Sequence, residues 1–247
     1  MENAKRLSDP AEIGQLHEDK EERKQYTMHS EVPDSGEKMR MVLYFLHLLY
    51  GNILDDWFIL WTRQDKRAYP FQIQNRQEIA AQALSLSEKK KDVYFSVGLH
   101  PQQPPAGKRG ASETVIAIPG FWFDLDIKGD GHSQKKLPSS IDEALDFLKS
   151  LSKQPSLIVN SGGGLHTYWL FEEPYRIIDM DRREECHNIS KNFQDSIIEE
   201  GKDRGWNLDN TSDLARILRL PGTWNWKEDI PRPVYVLEPY ENQSLSI

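Results

Sequence analysis

The chain has 247 residues, enough for one sizeable domain or a domain with an added lobe, and long enough to bury a core without covalent staples. Its single cysteine, Cys186, excludes an intrachain disulfide and a multi-cysteine zinc knuckle, and suits a reducing compartment. A formal net charge of -8 excludes a protein that holds nucleic acid mainly through bulk positive charge, although basic runs recur locally, as at Lys89-Lys90-Lys91, Lys108-Arg109 and Arg182-Arg183.

Residues 1–38 are rich in Glu, Lys, Ser and Asp with few apolar residues to bury, so they are expected to be mobile or marginally helical. From Met39 the pattern changes. Met41, Phe45, Leu48 and Leu49 recur at helical spacing and Gly51 ends the run. The apolar stretch Met41 to Tyr50 is too short to span a bilayer, and no signal peptide opens the sequence. A soluble, cytoplasmic protein with no membrane partner is expected. Residues 39–240 are expected to form the folded domain and 241–247 a frayed tail.

Trp57 to Trp61 reads as a buried strand, Gln77 to Ser85 as a helix, and Val93 to Val97 as a further strand. A Pro- and Gly-rich loop, His100 to Glu113, follows with the basic tip Gly107-Lys108-Arg109-Gly110; its place suits contact with template or nucleotide phosphate, or an ordinary surface connection.

That loop feeds the stretch Phe121-Trp122-Phe123-Asp124-Leu125-Asp126-Ile127. Strand side chains alternate faces, so Phe121, Phe123, Leu125 and Ile127 point into a core while Asp124 and Asp126 project together from the other side. Two unpaired carboxylates there would repel and resist ionisation; hard oxygen ligands suit a magnesium or manganese ion that relieves the conflict. The alternative is a strand end whose acids meet solvent. His132, in the next turn, has no Cys or His partner nearby to make a metal site.

Ser140 to Glu143 has the form of a capping box opening a helix with Ile141, Ala144, Leu145, Leu148 and Leu151 on one stripe, stopped by Pro155. Leu157 to Val159 and Leu165 to Phe171 read as strands joined through Ser161-Gly162-Gly163-Gly164. Glycines there let a ligand approach main-chain amides, so Ser161, Gly163, Gly164 and His166 are candidates to converge on a triphosphate; the alternative is a flexible hairpin with a packed histidine. Asp179 to Glu200 reads as a helix with Cys186, Ile189, Phe193 and Ile197 inward and Gly201 as its C-terminal cap. Between Trp206 and Lys227 acids, two arginines and a lysine recur among apolar residues, which points to a ligand or to mutual ion pairing. Val234 to Leu237 is a last strand.

In order, Phe123-Asp124-Leu125-Asp126, the Ser161 to His166 hairpin, Leu208-Asp209, and Arg219-Leu220-Pro221-Gly222-Thr223 with Asn225 and Lys227 resemble the motifs of the archaeo-eukaryotic primase superfamily. The likeness is to the primase-polymerases of plasmids, phages and other mobile elements, including those beside CRISPR loci, and covers roughly residues 41–237. The resemblance implies an α/β (α+β) fold, with an RRM-like catalytic sheet and flanking helices joined to an amino-terminal α/β unit. It implies template-directed nucleotide addition to a 3'-hydroxyl with release of pyrophosphate. On this reading Asp124, Asp126 and Asp209 hold two divalent ions, Mg2+ or Mn2+, Ser161 and His166 contact the triphosphate, and Arg219 and Lys227 are its basic followers. Ser212-Asp213 fits the third motif less well than Leu208-Asp209. Partners implied are nucleoside triphosphates, single-stranded or primer-template DNA, and a helicase or other replication or CRISPR-associated domain. The chain lacks the cysteine-based zinc module of several relatives, which bears on primer initiation. Rival readings are a metal-dependent glycosyltransferase that uses a nucleotide sugar, and a catalytically silent nucleic-acid-binding module.

Overall fold

A computed structural model of the protein describes residues 34–129 and 136–237. The expected mobile stretch through residue 33, His132 and the tail from residue 238 lie outside the described residues.

Among the described residues the first helix, α1 (Ser35–Tyr50), begins four residues before Met39 because Asp34 caps it. The Asp34 carboxylate accepts from the Glu37 amide at 2.8 Å and Glu37 accepts from the Asp34 amide at 2.9 Å, so two otherwise orphaned N–H groups are satisfied. Its apolar stripe, including Met41, Val42, Phe45, Leu46 and Leu49, is buried.

Strands β1 (Trp57–Thr62), β2 (Arg67–Gln72), β3 (Val93–Ser96) and β7 (Ile217–Arg219) form one antiparallel sheet in the order β2-β1-β3-β7. Helix α2 (Arg76–Glu88) connects β2 to β3. A second antiparallel sheet has the order β10-β5-β6-β4, from β4 (Ala117–Asp126), β5 (Leu157–Asn160), β6 (Gly164–Arg176) and β10 (Tyr235–Leu237). Between β4 and β5 lies α3 (Ile141–Ser150), and between β6 and β7 lies α4 (Met180–Asp203). The short pair β8 (Trp224–Asn225) and β9 (Arg232–Pro233) completes the mixed α+β fold. An isolated bridge, Leu99 to Ala117, stitches the end of β3 to the start of β4 and so joins the two sheets.

Each face of β4 has its own cover. Phe121 packs against Phe171 and, at 4.9 Å between ring centroids, against Phe193 of α4. The opposite face carries Trp122 and its cross-strand partner Tyr168, whose ring meets Phe45 of α1 edge-on at 5.7 Å. Phe45 also meets Phe95 of β3 at 5.3 Å. One aromatic side chain thus wedges between both sheets, and at roughly 1.5–3 kcal/mol for full burial it helps fix their relative angle.

Several local features depart from the sequence-based expectations. Glu143 accepts from the Ser139 amide and hydroxyl, one residue further back than a capping box requires, while Ser140 caps α3 as expected. Ile189 is exposed, not inward. Gly201 lies inside α4, not at its end: a Cβ there would sit 2.6 Å from Leu208, so the glycine admits the returning chain, and Gly205, with φ +76°, takes the left-handed position beyond the helix. Cys186 is buried in the core, and burial pushes its thiol up to about 11, far from nucleophilic. Among the described residues no helix is long and apolar enough to cross a membrane.

Candidate active site

Alternation along β4 places Asp124 and Asp126 on the face of Trp122, toward α1 and the first sheet. Asp124 lies directly across from His166 of β6, and Asp126 across from Gly164. Both carboxylates are only partly buried. Arg216 reaches across from the first sheet side and donates from Nη2 to Asp124 Oδ2 at 2.8 Å.

His166 Nε2 stands 3.6 Å from Asp124 Oδ1, too long for a hydrogen bond. The pair looks like an ion pair by distance, yet the imidazole is neutral at physiological pH. Burial, only partly offset by Asp124 and reinforced by Arg219 and Arg216, lowers its pKa to about 4. Its Nδ1 is buried and, among the described residues, has no hydrogen-bond partner.

Arg219 is held by a buried carboxylate that sequence reading did not single out. Asp92, 1% exposed, accepts from Arg219 Nη2 at 3.2 Å, from the Trp226 amide at 2.9 Å and, on its other oxygen, from Gln64 at 3.0 Å. The Arg219 guanidinium lies over the Tyr94 ring at 4.8 Å. The Nε atoms of Arg216 and Arg219 are, like His166 Nδ1, buried without a hydrogen-bond partner among the described residues. Orphaned buried polar atoms are costly unless a polar guest satisfies them.

The glycine turn is more tightly built than a flexible hairpin. Gly162 alone of its three glycines takes a positive φ, +77°. Gly164 has no room for a side chain, since a Cβ would lie 2.4 Å from the Leu125 carbonyl oxygen, and this close approach keeps β6 against β4. Ser161 is buried and its hydroxyl donates to the Gly164 carbonyl at 3.1 Å; the Gly162 amide is bound by Asn160 Oδ1 at 2.8 Å. Gly163 is bound through its carbonyl, which accepts from Ile127 at 3.2 Å. Asn225, another residue sequence reading gave no role, donates to the Ser161 carbonyl at 3.0 Å and so ties the Pro-Gly-Thr-x-Asn segment to the turn. Lys227 is exposed two residues on, with its amide bound by Asn225 Oδ1.

The structure therefore brings Asp124, His166, Arg216 and Arg219 together, with Asp126 on the same strand face and the Ser161 turn at the end of the same strand pair. Asp209 lies on the connection after α4 and does not join Asp124 and Asp126 in a group of three placed to hold a metal ion. Asp209 is exposed, and its neighbours are tied to α4: Leu208 packs on Gly201, and Asn210 donates to Asp195 at 2.8 Å. Asp213 lies further along that connection. It accepts from the Ser112 hydroxyl and, through its carbonyl, from the Arg216 amide at 2.7 Å, which shapes the turn that delivers Arg216 to Asp124. A signal for Arg216 exists in the sequence, the three-residue spacing of Asp213, Arg216 and Arg219 among apolar neighbours.

Among the described residues no group of three His, Cys, Asp or Glu side chains is placed to hold a metal ion. Two partly exposed carboxylates on one strand face still fit magnesium, which commonly takes one or two protein carboxylates and completes its shell with water and substrate phosphate.

No family model matches the chain, and no curated protein does. Solved structures do. The archaeo-eukaryotic primase (AEP) domain of the cyanophage S-2L primase-polymerase superposes with a TM-score of 0.50 at 14% identity, covering 82% of this chain and 91% of that one. The primase RepB' gives 0.49 at 12% identity over 84% of this chain and 58% of its own; its catalytic domain in complex with initiator DNA gives 0.47 at 12% over 83% and 88%. The chain has the archaeo-eukaryotic primase fold, that of the cyanophage primase-polymerase domain.

Proposed function

We propose that this chain is a template-directed nucleotidyltransferase, a DNA primase or DNA polymerase. The observation that carries the reading is the meeting of Arg216 and His166 at the carboxylate of Asp124, with Arg219 close enough to act on the imidazole and with buried polar atoms of all three side chains, His166 Nδ1 and the Nε atoms of Arg216 and Arg219, lacking a hydrogen-bond partner among the described residues. Such a set suits a triphosphate held beside acidic metal ligands. The 3'-hydroxyl oxygen bonds to the α-phosphorus as its proton passes to water, the bond from that phosphorus to the bridging oxygen of the β-phosphate breaks, and pyrophosphate leaves.

In this scheme the chain's residues position charge more than they do covalent chemistry. Asp124 and Asp126 would hold divalent ions, Mg2+ or Mn2+, which when bound supply Lewis-acid neutralisation of the phosphates. A third carboxylate would come from the 209–213 connection, Asp209 on the motif reading, since the Asp213 carboxylate accepts from the Ser112 hydroxyl and the Ala215 amide. A neutral His166 can donate to a phosphate oxygen without competing with the ions for Asp124. Arg219, fixed by Asp92, and Arg216 would face the triphosphate, Arg216 only if its contact with Asp124 were given up to bound cations, with Lys227 at the rim. Ser161, Gly163 and Gly164 act as the floor that sets His166 in place, since the hydroxyl and the Gly163 carbonyl are engaged within the strand pair.

The test is incubation of the protein with single-stranded template, manganese and labelled nucleotides, with and without primer. Asp124→Ala should abolish extension while the protein stays folded, and His166→Ala should mainly weaken nucleotide binding. Extension by purified Asp124→Ala at the wild-type rate discards the scheme. A second reading, a silent nucleic-acid-binding module, draws on one observation: Asp124 is already neutralised by Arg216. That module would bind DNA equally well without divalent ions and extend nothing.

A further inference from the structure

One row of side chains on the first sheet starts at Arg219 of the site and leads away from it. Cross-strand register aligns Ala68, Trp61, Tyr94 and Arg219 on β2, β1, β3 and β7. With strands about 4.8 Å apart, the row extends roughly 10 Å from Arg219 to Trp61. Trp61 and Tyr94 meet at 5.7 Å between centroids, at 65°, and both rings are half-buried, unlike the sealed aromatics of the core.

Cations flank these rings at both ends. Arg219 lies over Tyr94 at 4.8 Å, and Arg109, from the loop between β3 and β4, lies over Trp61 at 5.9 Å. Arg63 and Asp124 both bear electrostatically on the Tyr94 phenol, whose pKa burial raises first, so the row stands within reach of the carboxylate site. Among the described residues none of Arg63, Lys108 and Arg109 has a carboxylate partner. The loop is seated, not loose: Gly110, at φ +85°, closes over the buried His100 ring so tightly that a Cβ would lie 2.3 Å from it. That closure is what delivers Arg109 to the edge of Trp61.

In a chain of net charge -8, the exposed side chains of Arg63, Lys108 and Arg109 around the half-buried Trp61 and Tyr94 rings match one class of guest, an anionic polymer with flat apolar faces. Accessible rings with cations beside them bind single strands, because every base has a face to stack and every phosphate a charge to place. We propose that the Trp61–Tyr94 face of the first sheet seats single-stranded DNA, with bases on the rings and phosphates on Arg63, Lys108 and Arg109, leading toward Asp124. This rests on the nucleotidyltransferase reading for its direction, the strand being the template, but the contact itself needs neither nucleotide nor metal.

Fluorescence anisotropy with labelled oligodeoxythymidylate, in the absence of nucleotide and divalent ion, tests it on the full chain. Trp61→Ala is expected to weaken binding about 5- to 150-fold, the loss of one stacked base, while Trp61→Phe keeps most of it. Arg109→Ala, on an exposed side chain with no part in the core, should weaken binding several-fold and reduce the slope of log affinity against log salt by about 0.7. Wild-type affinity in both Trp61→Ala and Arg109→Ala overturns the proposal. So does a wild-type protein that fails to bind the oligonucleotide, or one whose duplex of equal length binds as tightly with the same dependence on Trp61. Primer extension is read separately: extension with oligonucleotide binding insensitive to Trp61 and Arg109 sinks only this platform, whereas ring-dependent binding without extension sinks only the catalytic reading.

Discussion

Removing the carboxylate of Asp92 tests whether the basic half of the site is set by a buried ion pair. Asp92 is 1% exposed and the Arg219 side chain 11%, so Asp92→Ala strands a guanidinium in a poorly solvated place and also orphans the Trp226 amide and the Gln64 side chain. Breaking one partner out of a buried pair costs about 3–5 kcal/mol, chiefly because the remaining charge is left uncompensated. Urea denaturation at neutral pH should therefore show a lower midpoint with an unchanged slope. Arg219→Ala removes that charge, so the double variant should recover about 1–3 kcal/mol of the sum of the two losses. Additivity of the two substitutions within about 0.5 kcal/mol would refute the idea that Asp92 acts through Arg219. The functional arm uses Asp92→Asn, which keeps the shape: nucleotide affinity should fall in that variant more than its stability does.

Gly164→Ala should destabilise by about 1–3 kcal/mol or prevent folding, because the clash is with the Leu125 main chain, which cannot rotate away; a thermal melt matching wild type would contradict the close approach of β4 and β6. Burial holds the His100 pKa below its ordinary value of about 6.5, so the unfolded chain takes the proton first and stability should fall as pH drops below that value. His100→Asn should reduce that dependence in denaturation series from pH 7.5 to 5, the lowered His166 supplying the remainder. Phe45→Leu, in the wedge between the sheets, should cost about 1–3 kcal/mol and also loosen nucleotide binding although Phe45 touches no charged group of the site; stability lost with unchanged affinity would show that α1 does not set the distance between Asp124 and Arg216.

The acidic strand was legible because its signal is local: alternation over seven residues fixes which side chains share a face, and β4 carries them so. The same holds for β5, β6 and the capped helices α1 and α3. What escaped was tertiary in origin. Strand β2 contains Pro70, which depletes strand propensity, and it is allowed only because β2 is a sheet edge where the missing N–H faces no partner. Gly201 read as a helix stop because the sequence does not show Leu208 returning onto it. Asp92 reads as an ordinary turn acid, and its partner Arg219 is 127 residues away. Nor does any local pattern show that Trp226 donates to the Ser87 carbonyl at 3.1 Å and the Trp224 amide to the Ser87 hydroxyl, contacts that tie the last segment to α2.

The distribution of charge between the two sheets explains how an acidic chain can handle an anionic substrate. The acids of the site stand on β4 of one sheet; the guanidiniums come from β7 and the turn before it, on the other. Within the first sheet Asp92 pairs with Arg219, and Arg216 crosses to Asp124 of the second, so between the sheets the field is of mixed sign over a few ångströms. Long-range steering by net charge would repel nucleic acid at -8, so recognition has to be short-range and to begin where cations outnumber acids, along the Arg109–Trp61 edge. Raising the ionic strength should then cost the protein less strand affinity than it costs a strongly basic binder, because only a few phosphate contacts are made and ring stacking, which salt does not screen, supplies the remainder. A log affinity against log salt slope steeper than about -4 for oligodeoxythymidylate would mean many more phosphate contacts than this face offers, and would move the binding surface elsewhere on the molecule.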